Sequence, residues 1–538
     1  MTNHFKCLIV GIYLLVVPVA CAENVKPNIL LIVADDLSYD SLGYAGGVAP
    51  SVTPNIDVLR KQGISFKKAF NSVSVCQPSR QSMLTGLLPH NYGSFGFFPI
   101  KKNVATLPAL LAKAGYLTAN IHKKHHMLPE ALFGWHHDNK SLGLHDPDGV
   151  VGRDPEAFAQ GLKKLIKFAE DRGAPFFLVA NSADPHRPFH GDPVTPSTFF
   201  GRDKVVIKNP SRIYSADEVT VPPELPDLPG IREDLARYAS SVRRLDDTVG
   251  ACLEVLEVSS KTDSTIVLFV SDNGMPLPFA KFDTYLSSNR TPFLIRLPDR
   301  SVAGRVDESH LVSLMDVTPT VLELVGLSVP EGFDGRSLLP LIKGTDINDW
   351  RDEIVFLRYE DIYYGEGIEH RLRFEPDFIS TLKKRGWQPR PDHPEAGTFS
   401  RERQQRCYFD GRFGYIFNDW YRPDGLEFSP LGAGVPYKDR SFNSMNKVAG
   451  QNQAVLERVQ HYLLRAPEEL YDWTKDLGSQ VNLVENPEFA TQLKKSREKL
   501  RNWMRVNHDP LLKNYEAKIY KHANKTRLTK VKSNEITS

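Results

Sequence analysis

In the run Cys76-Gln77-Pro78-Ser79-Arg80 a cysteine stands two residues before a proline and four before an arginine, where a helix should begin. Proline suits the first helical turn, because its missing N–H would have no partner there anyway. Residues 81–88 can continue the helix. A side chain at position 76 would then sit beside unpaired backbone N–H groups at the positive end of the helix dipole, a setting that favours anions. Arg80, one turn on, can offer the same place a planar fork of donors. One reading is a nucleophile in an anion-binding corner. The other is a buried cysteine at a helix start, and these residues alone leave both open.

Carboxylates supply the second feature. Residues 28–34 are continuously apolar, as in a strand buried on both faces of a parallel sheet, and they end in Asp35-Asp36. Two adjacent carboxylates repel each other unless a cation lies between them, and ligands of open α/β sheets bind at this carboxyl end of the strands. An N-cap would account for one aspartate, not both. Residues 175–180 form a second apolar run, followed by Asn181, Asp184, Pro185, His186 and Arg187. Residues 265–270 form a third, followed by Ser271-Asp272-Asn273-Gly274. Asp35, Asp36, Asp272 and Asn273 make an all-oxygen donor set, which suits Ca²⁺ or Mg²⁺ rather than zinc. The segment His122-Lys123-Lys124-His125-His126 reads on its own as a solvated basic loop.

Cys-x-Pro-Ser-Arg followed by Leu84-Thr85-Gly86 resembles the signature of the type I sulfatases. The resemblance implies that Cys76 is oxidised to Cα-formylglycine (3-oxoalanine), whose hydrate is the nucleophile, by a formylglycine-generating or sulfatase-maturating enzyme. It implies one Ca²⁺ held by Asp35, Asp36, Asp272, Asn273 and the modified residue 76. Arg80 joins the catalytic set. Lys123 and His125 match a Lys-x-His pair that contacts the sulfate and the nucleophile. His186 falls on the sulfate or leaving-group oxygen, with Arg187 as a substrate contact. Lys281, eight residues after Asn273, matches a basic residue near the bridging atom. His122 and His126 receive no role. The implied fold is α/β and alkaline-phosphatase-like: a central, mostly parallel sheet flanked by helices, with a smaller C-terminal antiparallel sheet and a helix against it.

Within the family, several stretches resemble the N-sulfoglucosamine sulfohydrolase (heparan sulfamidase) branch. They are Lys123-Lys124-His125, Asp184-Pro185-His186-Arg187, residues 271–278 and Asn507-His508-Asp509-Pro510. The resemblance runs from about residue 28 to 510, excepting an insertion at 360–405. Lys281 departs from that branch, where arginine is expected, and matches O-sulfatases instead. Two substrate classes follow: N-sulfated glucosamine of glycosaminoglycans, and O-sulfated algal polysaccharide such as ulvan. A phosphodiesterase of the alkaline-phosphatase superfamily is a more distant alternative, with a Ser or Thr nucleophile and a second metal site built with histidines.

The elements that must position these residues are partly visible. Short helices are expected over residues 53–63 and 103–115, and a long one over 232–257 with a Tyr238–Val242–Leu245–Val249–Leu253–Leu256 stripe. Residues 190–229 read as a surface excursion that walls a pocket, and 316–326 as a supporting helix. Residues 407–417 read as a hairpin with Asp410-Gly411 at its turn. Glu469-Leu470-Tyr471-Asp472 reads as a strand, and a helix starting at Pro487 carries Phe489, Leu493, Leu500 and Met504.

At 538 residues the chain exceeds one small core, and a boundary near residue 350 divides a 23–350 catalytic domain from a 351–515 α+β domain with a basic 516–538 tail. With 41% hydrophobic and 25% charged residues, and a net charge of +2, it reads as a globular protein with no charge bias toward nucleic acid. Residues 1–22 read as an export signal, with Lys6, an apolar run and Ala20-Cys21-Ala22 as the cleavage site. No later run reaches transmembrane length. The expected location is periplasmic or secreted, or a lysosome-like lumen. Cys252 and Cys407 read as buried thiols or as a pair.

Overall fold

The computed structural model describes residues 26–145, 150–193, 206–345, 347, 349–359, 404–419, 440–463 and 465–520. The leader, residues 360–403 of the insertion and the tail beyond Tyr520 lie outside them. Strands β1 (Asn28–Asp35), β2 (Ile64–Phe66), β4 (Leu117–Ile121), β5 (Phe176–Pro185), β6 (Thr265–Ser271), β7 (Phe293–Arg296) and β8 (Arg305–Asp307) form one sheet. β3 (Ala69–Phe70) and β9 (Val312–Ser313) make a small parallel pair beside it. The order in the large sheet is β4-β5-β1-β6-β7-β2-β8. β1 is an inner strand, parallel to β5 on one side and β6 on the other, while β7 runs antiparallel to its neighbours.

The continuous apolar pattern of β1 has its explanation in two cores. Leu30, Ile32 and Ala34 face one buried cluster, and Ile29, Leu31 and Val33 face another. Alternate side chains of a strand point to opposite faces, so a strand covered on both must be apolar at every position. Each of the buried Leu, Ile and Val side chains stabilises the fold by roughly 1.5–3 kcal/mol.

The helices that matter to the site are α1 (Pro54–Lys61), α2 (Cys76–Thr85), α3 (Leu107–Lys113), α4 (Pro155–Arg172), α5 (Pro229–Val258) and α6 (Val317–Leu324). α2 is shorter than residues 81–88 suggested. Gly86 takes a left-handed conformation (φ 68°) and its N–H caps the Ser82 carbonyl, which stops the helix. α2 starts at Cys76, as the Cys-x-Pro-x-Arg run suggested, with Ser79 N–H bonded to the Val75 carbonyl (3.0 Å). All ten of its residues are buried. α6 supports it from beneath, Thr318 donating to the Met83 carbonyl (2.7 Å). α5 buries Tyr238, Val242, Leu245, Val249 and Leu256. Parts of the 190–229 excursion run along it, as where Tyr214 N–H meets Ser240 Oγ (3.0 Å).

The second sheet is antiparallel: β10 (Ile354–Arg358), β11 (Gln405–Phe409), β12 (Phe413–Asn418) and β13 (Glu468–Asp472) in sequence order. The hairpin turns at Asp410-Gly411-Arg412, Gly411 having a φ of 88°. Helices α7 (Arg440–Ala449) and α8 (Gln453–Leu463) precede β13, and α9 (Ala490–Val506) follows it. One face of the sheet holds Leu357, Tyr415 and Leu470 against Leu493, Leu500 and Met504 of α9. The other face, with Phe356, Cys407 and Ile416, joins the core of the large sheet. Glu516–Tyr520 form a helical turn whose Glu516 pairs with Arg501 (2.8 Å). Cys252 and Cys407 are separate buried thiols.

Candidate active site

The three apolar strands deliver their polar ends to one place. β1 ends in Asp35, and Asp36 follows in a left-handed conformation (φ 69°), which turns its carboxylate back beside its neighbour. The turn is held by Asp36 N–H on Asp272 Oδ1 (3.1 Å) and Leu37 N–H on Ser271 Oγ (3.0 Å). Tyr238 of α5 donates to the Asp36 carbonyl (3.3 Å). Against β5 the register of β1 slips between Val33 and Asp35, a bulge that re-aims the last residue.

Cys76 is the first residue of α2 and is 3% exposed. Its sulfur lies 3.7 Å from Asp36 Oδ1 and 3.5 Å from Lys281 Nζ. Arg80, one turn along, is fully buried and grips Asp272 with Nε (2.9 Å) and Nη2 (2.7 Å). Its Nη2 is also 3.6 Å from Asp35 Oδ1, and Nη1 donates to Asn181 Oδ1. Lys123 pairs with Asp35 Oδ2. It reaches there because His122 (φ 59°) and Lys123 (φ 52°) are both left-handed, a turn that throws the lysine back toward the sheet. Lys124 faces away, onto Glu130 (2.7 Å) and Asp138 (3.0 Å). His122 packs against Gly152, where a Cβ would lie 2.6 Å from its ring.

Lys281 pairs with Asp36 Oδ1 (2.6 Å), which also accepts from Asn273 Nδ2 (2.7 Å). Its loop closes tightly because residue 274 is glycine: a Cβ there would collide with the carbonyl oxygens of Ser287 and Ala280. His186 Nε2 lies 3.9 Å from Asp36 Oδ2, and its Nδ1 is bonded to the Arg187 carbonyl. A carbonyl only accepts, so Nδ1 carries the proton and neutral His186 offers an unprotonated Nε2 to the site. His125 is exposed, on the turn that follows Lys123, its ring 4.3 Å from that of His126. Arg187 turns out of the site, its two Nη atoms on Asp234 (3.1 and 2.6 Å) and its guanidinium over Phe189 (4.1 Å).

The electrostatics follow from burial. It pushes the Cys76 thiol well above its usual range, Asp35 adding to the effect and Lys281 opposing it. Burial raises Asp35 as well, but Lys123, His186 and Arg80 outweigh it and hold the carboxyl well below its usual range. Asp272 is pushed up to about 7 by burial and by the nearby Asp35 and Asp36, against Arg80. Partial burial lowers His186 to about 4, against the pull of Asp36. Lys281 stays an ammonium: burial works against its charge, and the Asp36 and Asp35 carboxylates outweigh it.

A divalent cation fits this donor set. Asp35 Oδ1, Asp36 Oδ2 and Asn273 Oδ1 are buried and accept no hydrogen bond. Ligand atoms of Asp35, Asp36, Cys76 and Asp272 lie within 4.8 Å of one another, and a second grouping of Asp36, Cys76 and His186 overlaps the first. Both share Asp36 and Cys76, so they define one centre among the described residues. Buried carboxylate oxygens without donors are costly, and a cation removes both that cost and the mutual repulsion. Hard oxygen donors favour Ca²⁺ or Mg²⁺.

Asn181, named from the sequence only as a polar residue after the second apolar run, locks Arg80 while donating to Asn120 Oδ1 (2.8 Å) and the Ile121 carbonyl (3.1 Å). Arg153 was missed: its Nη2 donates to the His186 carbonyl (3.1 Å) and its Nε lies 3.7 Å from Asp184. Asp184 itself faces Arg244 of α5 through two 2.7 Å bonds.

Fold and site together describe an α/β enzyme for oxyanion esters, whose acidic cluster has a donor set that fits one cation. The Sulfatase family profile matches residues 27–327. Human N-sulphoglucosamine sulphohydrolase is 30% identical over 513 residues, covering 90% of this chain and 91% of its own. An ulvan-active sulfatase of Formosa agariphila is 23% identical, covering 89% and 75%. Among solved structures, the phosphonate monoester hydrolase of Agrobacterium radiobacter superposes with a TM-score of 0.60 at 18% identity, covering 90% and 96%. A protein solved with its substrate D-glucosamine-2-N,6-O-disulfate gives 0.59 at 18% identity, covering 90% and 99%. These two structures share the fold. The chain belongs to the sulfatase family and is a sulfuric ester hydrolase.

Proposed function

We propose that this enzyme removes the sulfate group from N-sulfated glucosamine residues of a glycosaminoglycan, with residue 76 matured to formylglycine and one Ca²⁺ in the centre. The observation that carries the reading is the position of Cys76: first in α2, beside carboxylate oxygens that accept no hydrogen bond, with its thiol held protonated. A thiol held protonated is a poor nucleophile. The aldehyde, once hydrated, would instead supply a hydroxyl to attack sulfur. The cation would supply positive charge against the sulfuryl oxygens and favour ionisation of that hydroxyl.

The charge balance supports the same reading. Asp35, Asp36 and Asp272 are matched by Arg80, Lys123 and Lys281, which leaves no surplus for an anionic ester. With a divalent ion the centre gains net positive charge, and the sulfate is drawn in. Arg80 orients Asp272 and Asp35 from behind. Lys123 and Lys281 face the sulfuryl group and the leaving atom, where preorganised donors give the largest electrostatic gain. Lys281, as an ammonium, donates a hydrogen bond to the leaving nitrogen or oxygen. The leaving nitrogen or oxygen departs with a proton from Lys281, His186 Nε2 takes the proton of the attacking hydroxyl, and His125 takes that of the second hydroxyl as sulfate leaves and the aldehyde re-forms. Arg187, held by Asp234, binds substrate only through its outer edge.

The similarity to the human N-sulphoglucosamine sulphohydrolase favours nitrogen as the leaving atom. Lys281 favours a second reading, an O-sulfatase on a polysaccharide such as ulvan. Sulfate release from N-sulfoglucosamine, 6-O-sulfoglucosamine and ulvan oligosaccharides separates them. Release from the first alone is expected; release from the O-sulfated sugars alone would establish the second reading.

A further inference from the structure

Lys281 is delivered by irregular chain: between β6 and residue 286 no helix or strand forms. Two phenylalanines flank it in left-handed conformations, Phe279 (φ 68°) and Phe282 (φ 59°). A bulky residue seldom adopts that region and stays there only when its surroundings over-determine it. Chain just before Cys76 and just after the loop supplies part of the restraint, through Phe282 N–H on the Ser74 carbonyl (3.1 Å) and Ser288 Oγ on the Phe279 carbonyl (2.8 Å). The rest comes from chain about 180 residues away. Arg458 lies over the Phe279 ring (3.6 Å), and Tyr462 packs beside it (4.8 Å). Arg465, just before β13, bonds Asp283 Oδ2 (2.6 Å) and the Tyr285 hydroxyl. Tyr285 in turn donates to Glu469 of β13 (2.7 Å). Asp283, Tyr285, Glu469 and Arg465 are all buried.

We propose that Arg465 is a positioning residue for catalysis: through Asp283 and Tyr285 it clamps the 279–285 loop and sets the Lys281 ammonium against Asp36 and residue 76. This rests on the role given to Lys281 above. The C-terminal sheet is then part of the machinery that places a catalytic cation. Asp283 and Arg465 stand two and 184 positions after Lys281 and touch neither the cysteine nor the carboxylates of the centre, so their effect must pass through the loop.

Removing Arg465 alone would leave Asp283 buried and unpaired, and the protein could fail to fold. The pair Asp283→Asn/Arg465→Met removes both charges and keeps the amide oxygen that accepts from Thr284 N–H (3.1 Å). Tyr285→Phe, which removes one hydroxyl, is the second variant. Two readouts are needed. A crystal structure of the paired variant is expected to show the Lys281 ammonium beyond hydrogen-bond distance of Asp36. Its kcat, on the saccharide that the wild type desulfates fastest, is expected to fall roughly 10- to 10²-fold with little change in KM, as for a misplaced catalytic group. In a Lys281→Ala background the same pair should cost little further. An unmoved ammonium with wild-type kcat would overturn the clamp, as would a full additional loss in the Lys281→Ala background. If Lys281→Ala alone keeps wild-type kcat, the role assigned to Lys281 fails, while the crystal structure still decides the clamp.

Discussion

Cys76 sits where burial and the Asp35 charge keep a thiol protonated, yet it occupies the first position of a fully buried helix beside three carboxylates. That environment is unsuited to a thiolate and suited to a neutral hydroxyl next to a cation. The carboxylates carry a prediction of their own. Asp35→Asn keeps the side-chain volume and removes one charge, so the protein should fold but bind Ca²⁺ weakly. Elemental analysis should find one Ca²⁺ per wild-type chain and almost none in the variant. A chelator should lower the wild-type Tm, since a ligand at 100 times its Kd stabilises by about 2.7 kcal/mol, and leave the variant's Tm nearly unchanged. Stoichiometric zinc, or a chelator-insensitive wild type, would contradict the all-oxygen assignment.

At the scale of elements, the loop after β6 depends on one missing side chain. Gly274→Ala would drive a Cβ into the carbonyl oxygens of Ala280 and Ser287, both backbone and both unable to swing aside. Lys281 would be displaced with them. The variant should lose most of its kcat and several degrees of Tm, measured by sulfate release and calorimetry; wild-type values for both would show that the loop closes without the glycine. The elements that could be read ahead of the structure were those with one dominant physical signal. β1, β5 and β6 are apolar at every position because both faces are covered, and α5 carries a long helical stripe. β2 and β8 span three residues each, too few to show a period, and β8 is partly exposed. α4 went unread although Asp154, Pro155 and Gly173 punctuate it at both ends. In the site, residues at strand ends were legible by type. The orientation of Arg187 was not, because its partner Asp234 lies 47 residues away on α5.

At the scale of the molecule, the C-terminal sheet shares a core with the large one and sends a buried polar cluster toward the catalytic loop. Burial pushes the Glu469 carboxyl up, but His461, Arg465 and Tyr471 pull it down to about 2. Its folded value thus lies below the unfolded one of about 4.5, and the native state holds fewer protons between these limits. The stabilisation is complete above about pH 4.5 and is lost as pH falls toward 2. Thermal unfolding from pH 6 down to 2 should therefore show a steeper fall in Tm for the wild type than for Glu469→Gln; parallel profiles would remove Glu469 as the source. No helix among the described residues is long and apolar enough to cross a membrane.

The central claim is that residue 76, once matured, is the nucleophile of a sulfatase acting on N-sulfated glucosamine. It is tested by co-expressing the chain with a formylglycine-generating enzyme, measuring the mass of the peptide that contains residue 76, and assaying sulfate release from N-sulfoglucosamine on the same preparation. Specific activity should rise in proportion to the fraction of peptide showing the thiol-to-aldehyde loss of mass, and Cys76→Ala should release no sulfate. Full activity from a preparation whose peptide retains the unmodified thiol would contradict it.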